Sequence, residues 1–122
     1  MKKKFFLAFL LFVACSEKQT ETSLSPKDFD AKLKSTRSAI LIDVRTKAEV
    51  EEGALPNARN IVYDDSFADR LKVGPLDAPV FVYCAAGKRS EKAANIMKGK
   101  GYREVYQLKG GLNAWKEAKM PL

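Results

Sequence analysis

Residues 82–95, VYCAAGKRSEKAAN, place one cysteine between an apolar run and a helical pattern. Cys84 ends the apolar run and is followed by three small residues and two cations: Ala85, Ala86, Gly87, Lys88 and Arg89. Small residues let the backbone curl tightly, and Gly87 is free to adopt a positive φ. Such a turn points N–H groups inward to form an anion site, and the next helix N-terminus adds partial positive charge. We therefore interpret residues 84–89, the cysteine loop, as a site that holds an anion.

The cysteine loop is expected to make Cys84 a thiolate nucleophile. A free thiol has a pKa near ~8.5, and a helix N-terminus or adjacent cations lower a cysteine pKa to ~3.5–7.5. The alternative is a small, inert, buried residue at the end of a strand, where free cysteines are common. The glycine, the small residues and the two cations favour the nucleophile.

The residue types that the chain lacks narrow the chemistry. It contains no histidine, which excludes Ser-His-Asp and Cys-His catalysis and every zinc site that needs imidazole. Cys15 and Cys84 are the only cysteines, so no CxxC pair exists for redox or metal chemistry. No Walker A or GxGxxG sequence follows a predicted strand. We expect a cysteine that works with no metal and no cofactor.

Length and charge predict one domain with no nucleic-acid partner. The 122 residues are 46% hydrophobic and 30% charged, which suits a single globular domain. The net charge is +7, but three of the 22 basic residues lie at positions 2–4; the other 19 face 15 acidic residues, a balance of +4. The basic residues form no stripe with aromatics, whereas a small anionic substrate is compatible with them. The sequence gives no sign of oligomerisation.

The first 15 residues, MKKKFFLAFLLFVAC, have the pattern of a secretory signal peptide. Three lysines precede ten apolar residues, too few to span a bilayer, which needs ~20. Ala14 before Cys15 resembles the cleavage site of bacterial lipoproteins. We predict a signal peptide at 1–14, a lipid on Cys15, a polar tether at 15–22 and a domain at 23–122. An ordinary signal peptide or an uncleaved anchor is the alternative.

This pattern predicts a location as well as a processing event. A lipid on Cys15 would hold the domain at the membrane of the bacterial cell envelope, facing the periplasm or the exterior. The polar residues of the tether would separate the membrane from the domain.

Strands and helices alternate along the domain and position the cysteine loop. Continuous apolar runs at 39–44 and 80–83 predict strands buried on both faces, and shorter strands are predicted near 59–62 and within 103–111. Helices are predicted after Ser25 and Thr46, near 64–74, from Ser90 and at 112–118. This alternation predicts an α/β fold with a mostly parallel sheet and helices on both faces. In such sheets ligands bind beyond the carboxyl ends of strands, where Cys84 lies.

Three stretches in order resemble the single-domain rhodaneses, or thiosulfate sulfurtransferases. LIDVRTKAEVEEGALPNARNI at 41–61 resembles the family's first signature, VYCAAGKRS at 82–90 its active loop, and VYQLKGGLNAWKEAKMPL at 105–122 its closing signature. The resemblance implies a five-stranded rhodanese-like sheet. It also implies that Cys84 takes a sulfur from thiosulfate or a related donor and passes it, as a persulfide, to cyanide or a thiol.

The resemblance also assigns roles around Cys84. Backbone amides of Ala85, Ala86, Gly87, Lys88 and Arg89 would stabilise the persulfide. Arg89 would brace the loop and hold the anionic end of the donor. We also predict Asp43, Arg45 and Ser90 as supporting residues, since Asp43 and Arg45 end a buried strand near the active mouth.

Two roles remain open for Asp43. It could hold the cysteine loop, or it could be an acid at a helix N-terminus beside a surface arginine, Arg45.

Two positions depart from the family: Ala54 stands where histidine is usual, and Asn57 where glycine is usual.

Two other functions are compatible with a rhodanese-like fold. Phosphatases and arsenate reductases of this fold have five residues between cysteine and arginine, whereas four separate Cys84 from Arg89, a smaller ring that suits one sulfur atom. A non-catalytic binding module would have lost the cysteine.

Three further interpretations concern residues outside the loop. We interpret Glu49, Glu51 and Glu52 as a solvated helix face, Gly110 and Gly111 as a tight turn, and Trp115 as a packing residue.

Overall fold

The computed structural model describes residues 22–122. The predicted signal peptide, Cys15 and residues 15–21 of the tether lie outside the described residues. Within 22–122, no helix has the length and apolar character that crossing a bilayer requires.

The core of the domain is a five-stranded sheet. Its strands are β1 Ser23–Leu24, β2 Ile40–Asp43, β3 Arg59–Asn60, β4 Val80–Tyr83 and β5 Val105–Leu108. The strand order is β1-β5-β4-β2-β3, and every neighbouring pair is parallel. The α/β prediction is confirmed, with a sheet that is parallel throughout the described chain. The carboxyl end of β4, at the centre of the sheet, leads directly into the cysteine loop.

In the described part of the chain, four helices cover the sheet: α1 Pro26–Ser35, α2 Lys47–Glu51, α3 Lys88–Gly99 and α4 Gly111–Glu117. The predicted caps are present, since Ser25 Oγ accepts from Asp28 N at 3.2 Å and Thr46 forms a capping box with Glu49.

Two helix predictions were wrong in extent. The helix expected near 64–74 is a single 3₁₀ turn at Ala68–Arg70, and α3 begins two residues before Ser90. Helix α3 begins at Lys88 because Gly87, with a φ of 103°, turns the backbone sharply directly before it.

Alternating side chains give the sheet two buried faces. Ile42, Val82 and Cys84 belong to a cluster on the side of α3, together with Ala94 and Met97. Leu41, Phe81, Tyr83 and Trp115 belong to a second cluster on the side of α1 and α4. Helices on both faces were predicted, and this layering confirms them.

Strand β1 is a feature that the sequence pattern did not reveal. It contributes only two residues. The backbone bonds run from Gln107 N to Thr22 O, just before β1, at 2.5 Å and from Lys109 N, just after β5, to Leu24 O at 2.8 Å. A two-residue edge strand carries no periodicity, so only its pairing with β5 identifies it.

Candidate active site

Cys84 lies just beyond β4, with hydrogen-bond donors directed at its sulfur. The residue is only 1% exposed. Gly87 N lies 3.1 Å from Cys84 Sγ and Ser90 N lies 3.3 Å from it. Ser90 Oγ is 3.5 Å from the same sulfur. The loop therefore surrounds the sulfur with polar hydrogens inside an otherwise apolar core.

The pKa of the Cys84 thiol is lowered from its ordinary value, although burial alone raises it. Hydrogen bonds from the Ser90 hydroxyl and from the amides of Ser90, Gly87 and Ala86 outweigh that burial. The lowered pKa agrees with the expected thiolate, and the inward amides that the turn predicted are among its causes. The hydroxyl of Ser90 adds a contribution that the sequence interpretation did not include.

Helix α4 fixes the start of the cysteine loop from the other side. Leu112 N donates to Cys84 O at 2.8 Å and Asn113 N donates to Ala85 O at 2.9 Å. A Cβ on Gly111 would stand 2.4 Å from Ala85 O, so only glycine allows this approach. The loop carbonyls therefore face α4 while its amides are free to face the sulfur. The tight turn predicted at Gly110 and Gly111 is confirmed, with φ of 75° and 66°.

Trp115 is buried, as predicted, and packs in the cluster beside α1 and α4. Its indole Nε1 donates to Pro121 O at 3.0 Å, which satisfies its polar atom within the fold. It is a packing residue of α4.

Asp43 and Arg45 form a buried ion pair. Arg45 Nη2 lies 2.7 Å from Asp43 Oδ2, and Arg45 N and Nε each donate to Asp43 Oδ1 at 3.0 Å. Arg45 is 5% exposed, so the interpretation as a surface arginine was wrong. Its remaining donors reach Gly53 O at 2.7 Å and Glu49 O at 3.3 Å. The pair holds α2 and the turn after it, which then face the cysteine loop.

Arg89 forms a two-pronged ion pair with Glu49. Nη1 lies 2.8 Å from Oε1 and Nη2 lies 3.0 Å from Oε2. The expectation that Glu49 belongs to a solvated helix face was therefore wrong, while Glu51 and Glu52 are exposed as expected. The arginine braces the loop against α2, and its hydrogen bonds lower the pKa of Glu49 to about 2.

Two cavities flank the cysteine loop. One of about 300 Å³ is lined by Ala86, Gly87 and Lys88 together with Lys109. The other, of about 180 Å³, is lined by Ala85 and by residues in and beside α2 and α4, among them Arg45, Glu49, Glu52 and Lys116. A separate groove of about 550 Å³ involves Leu33, Leu55 and Leu122 and no residue of the loop. Within residues 22–122, no cluster of three or more His, Cys, Asp or Glu side chains could hold a metal.

The predicted site residues thus fall into two groups. The loop residues and Ser90 surround Cys84, with Ser90 fully buried and Lys88 exposed. Asp43 and Arg45 support α2 at the neighbouring strand end and do not touch the sulfur within hydrogen-bond distance. At the two family departures, Asn57 adopts a φ of 68° in the glycine position, and Ala54 is half-buried.

Sequence reasoning missed two positioning residues. Glu49 was visible only as the end of a capping box, since its partner Arg89 is 40 residues away. Asn60 donates its side-chain amide to Asp43 O and Arg45 O, both at 2.9 Å, and so ties β3 to the end of β2. Neither contact has a local sequence signal.

Comparison with known sequences finds a matching family and related proteins. Residues 25–118 match the family described as the rhodanese-like domain. A sulfurtransferase of Allochromatium vinosum is 30% identical, covering 81% of this chain and 92% of that protein. The adenylyltransferase and sulfurtransferase UBA4 of Candida albicans is 35% identical over 77% of this chain. The chain spans only 23% of that protein, and 30% of a tRNA uridine(34) hydroxylase of Chlamydia caviae that is 36% identical.

Solved structures show the same fold. A rhodanese-like domain protein of Staphylococcus aureus superposes with a TM-score of 0.69 at 28% identity, covering 78% of this chain and 91% of that one. A rhodanese-related protein of Thermoplasma volcanium gives a TM-score of 0.72 at 26% identity, covering 83% and 96%.

Proposed function

This chain belongs to the rhodanese-like domain family, and on that premise we propose that it is a sulfurtransferase that carries sulfur as a persulfide on Cys84. The observation that supports this most is the pair of amide hydrogen bonds that Cys84 Sγ accepts from Gly87 N and Ser90 N, with Ser90 Oγ 3.5 Å from the same sulfur. These groups stabilise a negative charge on sulfur both before and after a sulfur atom is added.

The proposed transfer has two steps that balance without an oxidant or reductant. The Cys84 thiolate attacks the outer sulfur of thiosulfate or a related donor, and a new S–S bond forms. The donor's S–S bond breaks, and its electron pair leaves with sulfite. A thiophilic acceptor, cyanide or a thiol, then attacks the outer sulfur of the persulfide and regenerates the thiolate.

Ser90 is suited to follow the charge on the sulfur. Its Oγ lies 3.2 Å from Gly87 O and 3.5 Å from Cys84 Sγ, so its proton has two acceptors within reach. We propose that the hydroxyl donates to Gly87 O beside a neutral thiol and turns to the sulfur when the thiolate forms.

Turnover of thiosulfate and cyanide to thiocyanate tests this function. The purified domain should form thiocyanate, and Cys84→Ala should abolish it. Arg89→Ala should mainly weaken use of the donor. An intact fold with no thiocyanate and no sulfur on Cys84 would favour a binding module. Hydrolysis of an aryl phosphate would instead favour a phosphatase.

We also propose that the domain works at the bacterial cell envelope, tethered through a lipid on Cys15. The support is the leader pattern of residues 1–15 in the sequence. Labelling of the full chain with a radioactive fatty acid should mark the wild type and not Cys15→Ala. Equal labelling of both, or of neither, would contradict the tether.

A further inference from the structure

We infer that Glu49 selects sulfur donors by charge, disfavouring donors with two negative charges, such as thiosulfate, and favouring donors with one, such as thiosulfonates and persulfides. This inference rests on the proposed sulfurtransferase function. It concerns a residue of α2, outside the cysteine loop.

The geometry makes Glu49 a competitor for the donor. Both of its carboxylate oxygens are bound by Arg89, at 2.8 and 3.0 Å, so the planar fork of the arginine is already occupied. The two side chains are 35% and 34% exposed, which places the pair at the solvent-facing mouth of the loop. An anionic donor that seeks Arg89 must displace a carboxylate or share the arginine with it.

The second guanidinium beside Glu49 does not relieve this competition. The nearby guanidinium of Arg45 is committed to Asp43 at 2.7 Å. Hydrogen bonds from Arg89 and from Thr46 lower the pKa of Glu49 to about 2, so the carboxylate stays ionised at any working pH. Glu49 also lines the cavity of about 180 Å³ that is lined by Ala85, the residue directly after Cys84.

The chemistry allows donors of lower charge. A thiosulfonate transfers its outer sulfur to the Cys84 thiolate, and the electron pair of the broken S–S bond leaves with a sulfinate. The step has the same bond changes as with thiosulfate, but the donor brings one negative charge in place of two. Repulsion from Glu49 scales with that charge, so the dianion is penalised more.

The test is Glu49→Gln with two donors, thiosulfate and methanethiosulfonate, and a common acceptor. Glutamine keeps the capping box of α2 through Oε1 and removes the charge. Its amide nitrogen replaces Oε2, so the bond that Oε2 accepts from Arg89 Nη2 is also lost. We expect kcat/KM for thiosulfate relative to methanethiosulfonate to rise about tenfold, through a lower KM for thiosulfate, as loss of a like charge at this range predicts.

Glu52→Gln is the matched control. Glu52 follows the same helix, lines the same cavity and is exposed, but within residues 22–122 it forms no ion pair. It should change the donor ratio by less than about twofold, because this exposed carboxylate does not bind Arg89 and its charge is screened by salt. Arg89→Gln, which leaves Glu49 unpaired, should move the ratio in the direction opposite to Glu49→Gln.

Three results would overturn the inference. An equal loss with both donors in Glu49→Gln would show that Glu49 only braces the loop. An equal shift in Glu52→Gln would show a general effect of surface charge. Wild-type protein that loads sulfur from neither donor would contradict the proposed function itself. This result is distinct from the other two, which are seen only in the variants.

Discussion

The hydroxyl of Ser90 lies 3.5 Å from Cys84 Sγ and 3.2 Å from Gly87 O, and Ser90 and Cys84 are both buried. Only hydrogen bonds of this kind offset the desolvation that raises the pKa of a thiol in an apolar core. Removal of this hydroxyl alone therefore tests how the negative charge on the sulfur is stabilised.

We predict that Ser90→Ala raises the pKa of Cys84 and slows its alkylation at neutral pH severalfold, because one donor to the thiolate is lost. The rate of alkylation by iodoacetamide across a pH series measures both effects. Ser35→Ala, which removes an exposed hydroxyl at the end of α1, should leave the profile unchanged. An unchanged profile in Ser90→Ala would show that the hydroxyl does not support the thiolate.

The lowered pKa of Cys84 also predicts how stability depends on pH. The unfolded thiol titrates near ~8.5 and the folded thiol at lower pH, so the unfolded state binds more protons between the two values. The contribution of Cys84 to stability is therefore complete above the unfolded pKa and is lost as pH falls through the folded pKa.

Urea unfolding of the wild type and of Cys84→Ala over a pH series measures this contribution. The difference in the free energy of unfolding should rise with pH in that window, in favour of the wild type. A constant difference would mean that the fold does not stabilise the thiolate.

At the scale of elements, α4 and α2 both hold the cysteine loop. Helix α4 donates two amides to the loop carbonyls, and α2 binds Arg89 through Glu49. Neither helix contributes an atom within hydrogen-bond distance of the sulfur in the described chain. They act by fixing which way the loop peptides face.

Gly111→Ala should destabilise the domain by roughly 2 kcal/mol or more and reduce sulfur transfer. The new Cβ would meet Ala85 O at 2.4 Å, at a φ of 66° that alanine tolerates poorly. Gly99→Ala is the control, because a Cβ there has no neighbour within 4 Å and should be neutral or stabilising. Urea midpoints and thiocyanate turnover compare the two; equal behaviour would contradict the docking of α4.

The buried Asp43–Arg45 pair carries the link from β2 to α2. Asp43→Asn should cost about 3–5 kcal/mol, since it leaves Arg45 buried without its counter-ion. Asp30→Asn breaks the exposed pair with Lys34 and should cost at most about 1 kcal/mol. Urea unfolding distinguishes them, and similar small costs would show that water reaches Arg45.

At the scale of the whole molecule, parallel strands gather their carboxyl ends at one edge of the sheet. This brings the sequences after β2, β4 and β5 together, although they are far apart in the chain. The order of strand and helix, the caps at Ser25 and Thr46 and the turn at Gly87 were predictable, because each depends on neighbours within a few residues.

The remaining features depend on contacts that no local pattern encodes. The pairing of Arg89 with Glu49, the bonds of Asn60 to β2 and the two-residue strand β1 all join distant segments. The charges of the loop were visible in the sequence, but the neutralisation of Arg89 was not.

The most direct measurement is the mass of the peptide that contains Cys84 after the protein is incubated with thiosulfate and freed of excess donor. The account predicts one added sulfur atom on Cys84, which cyanide removes as thiocyanate. A folded protein whose Cys84 remains an unmodified thiol under these conditions would contradict it.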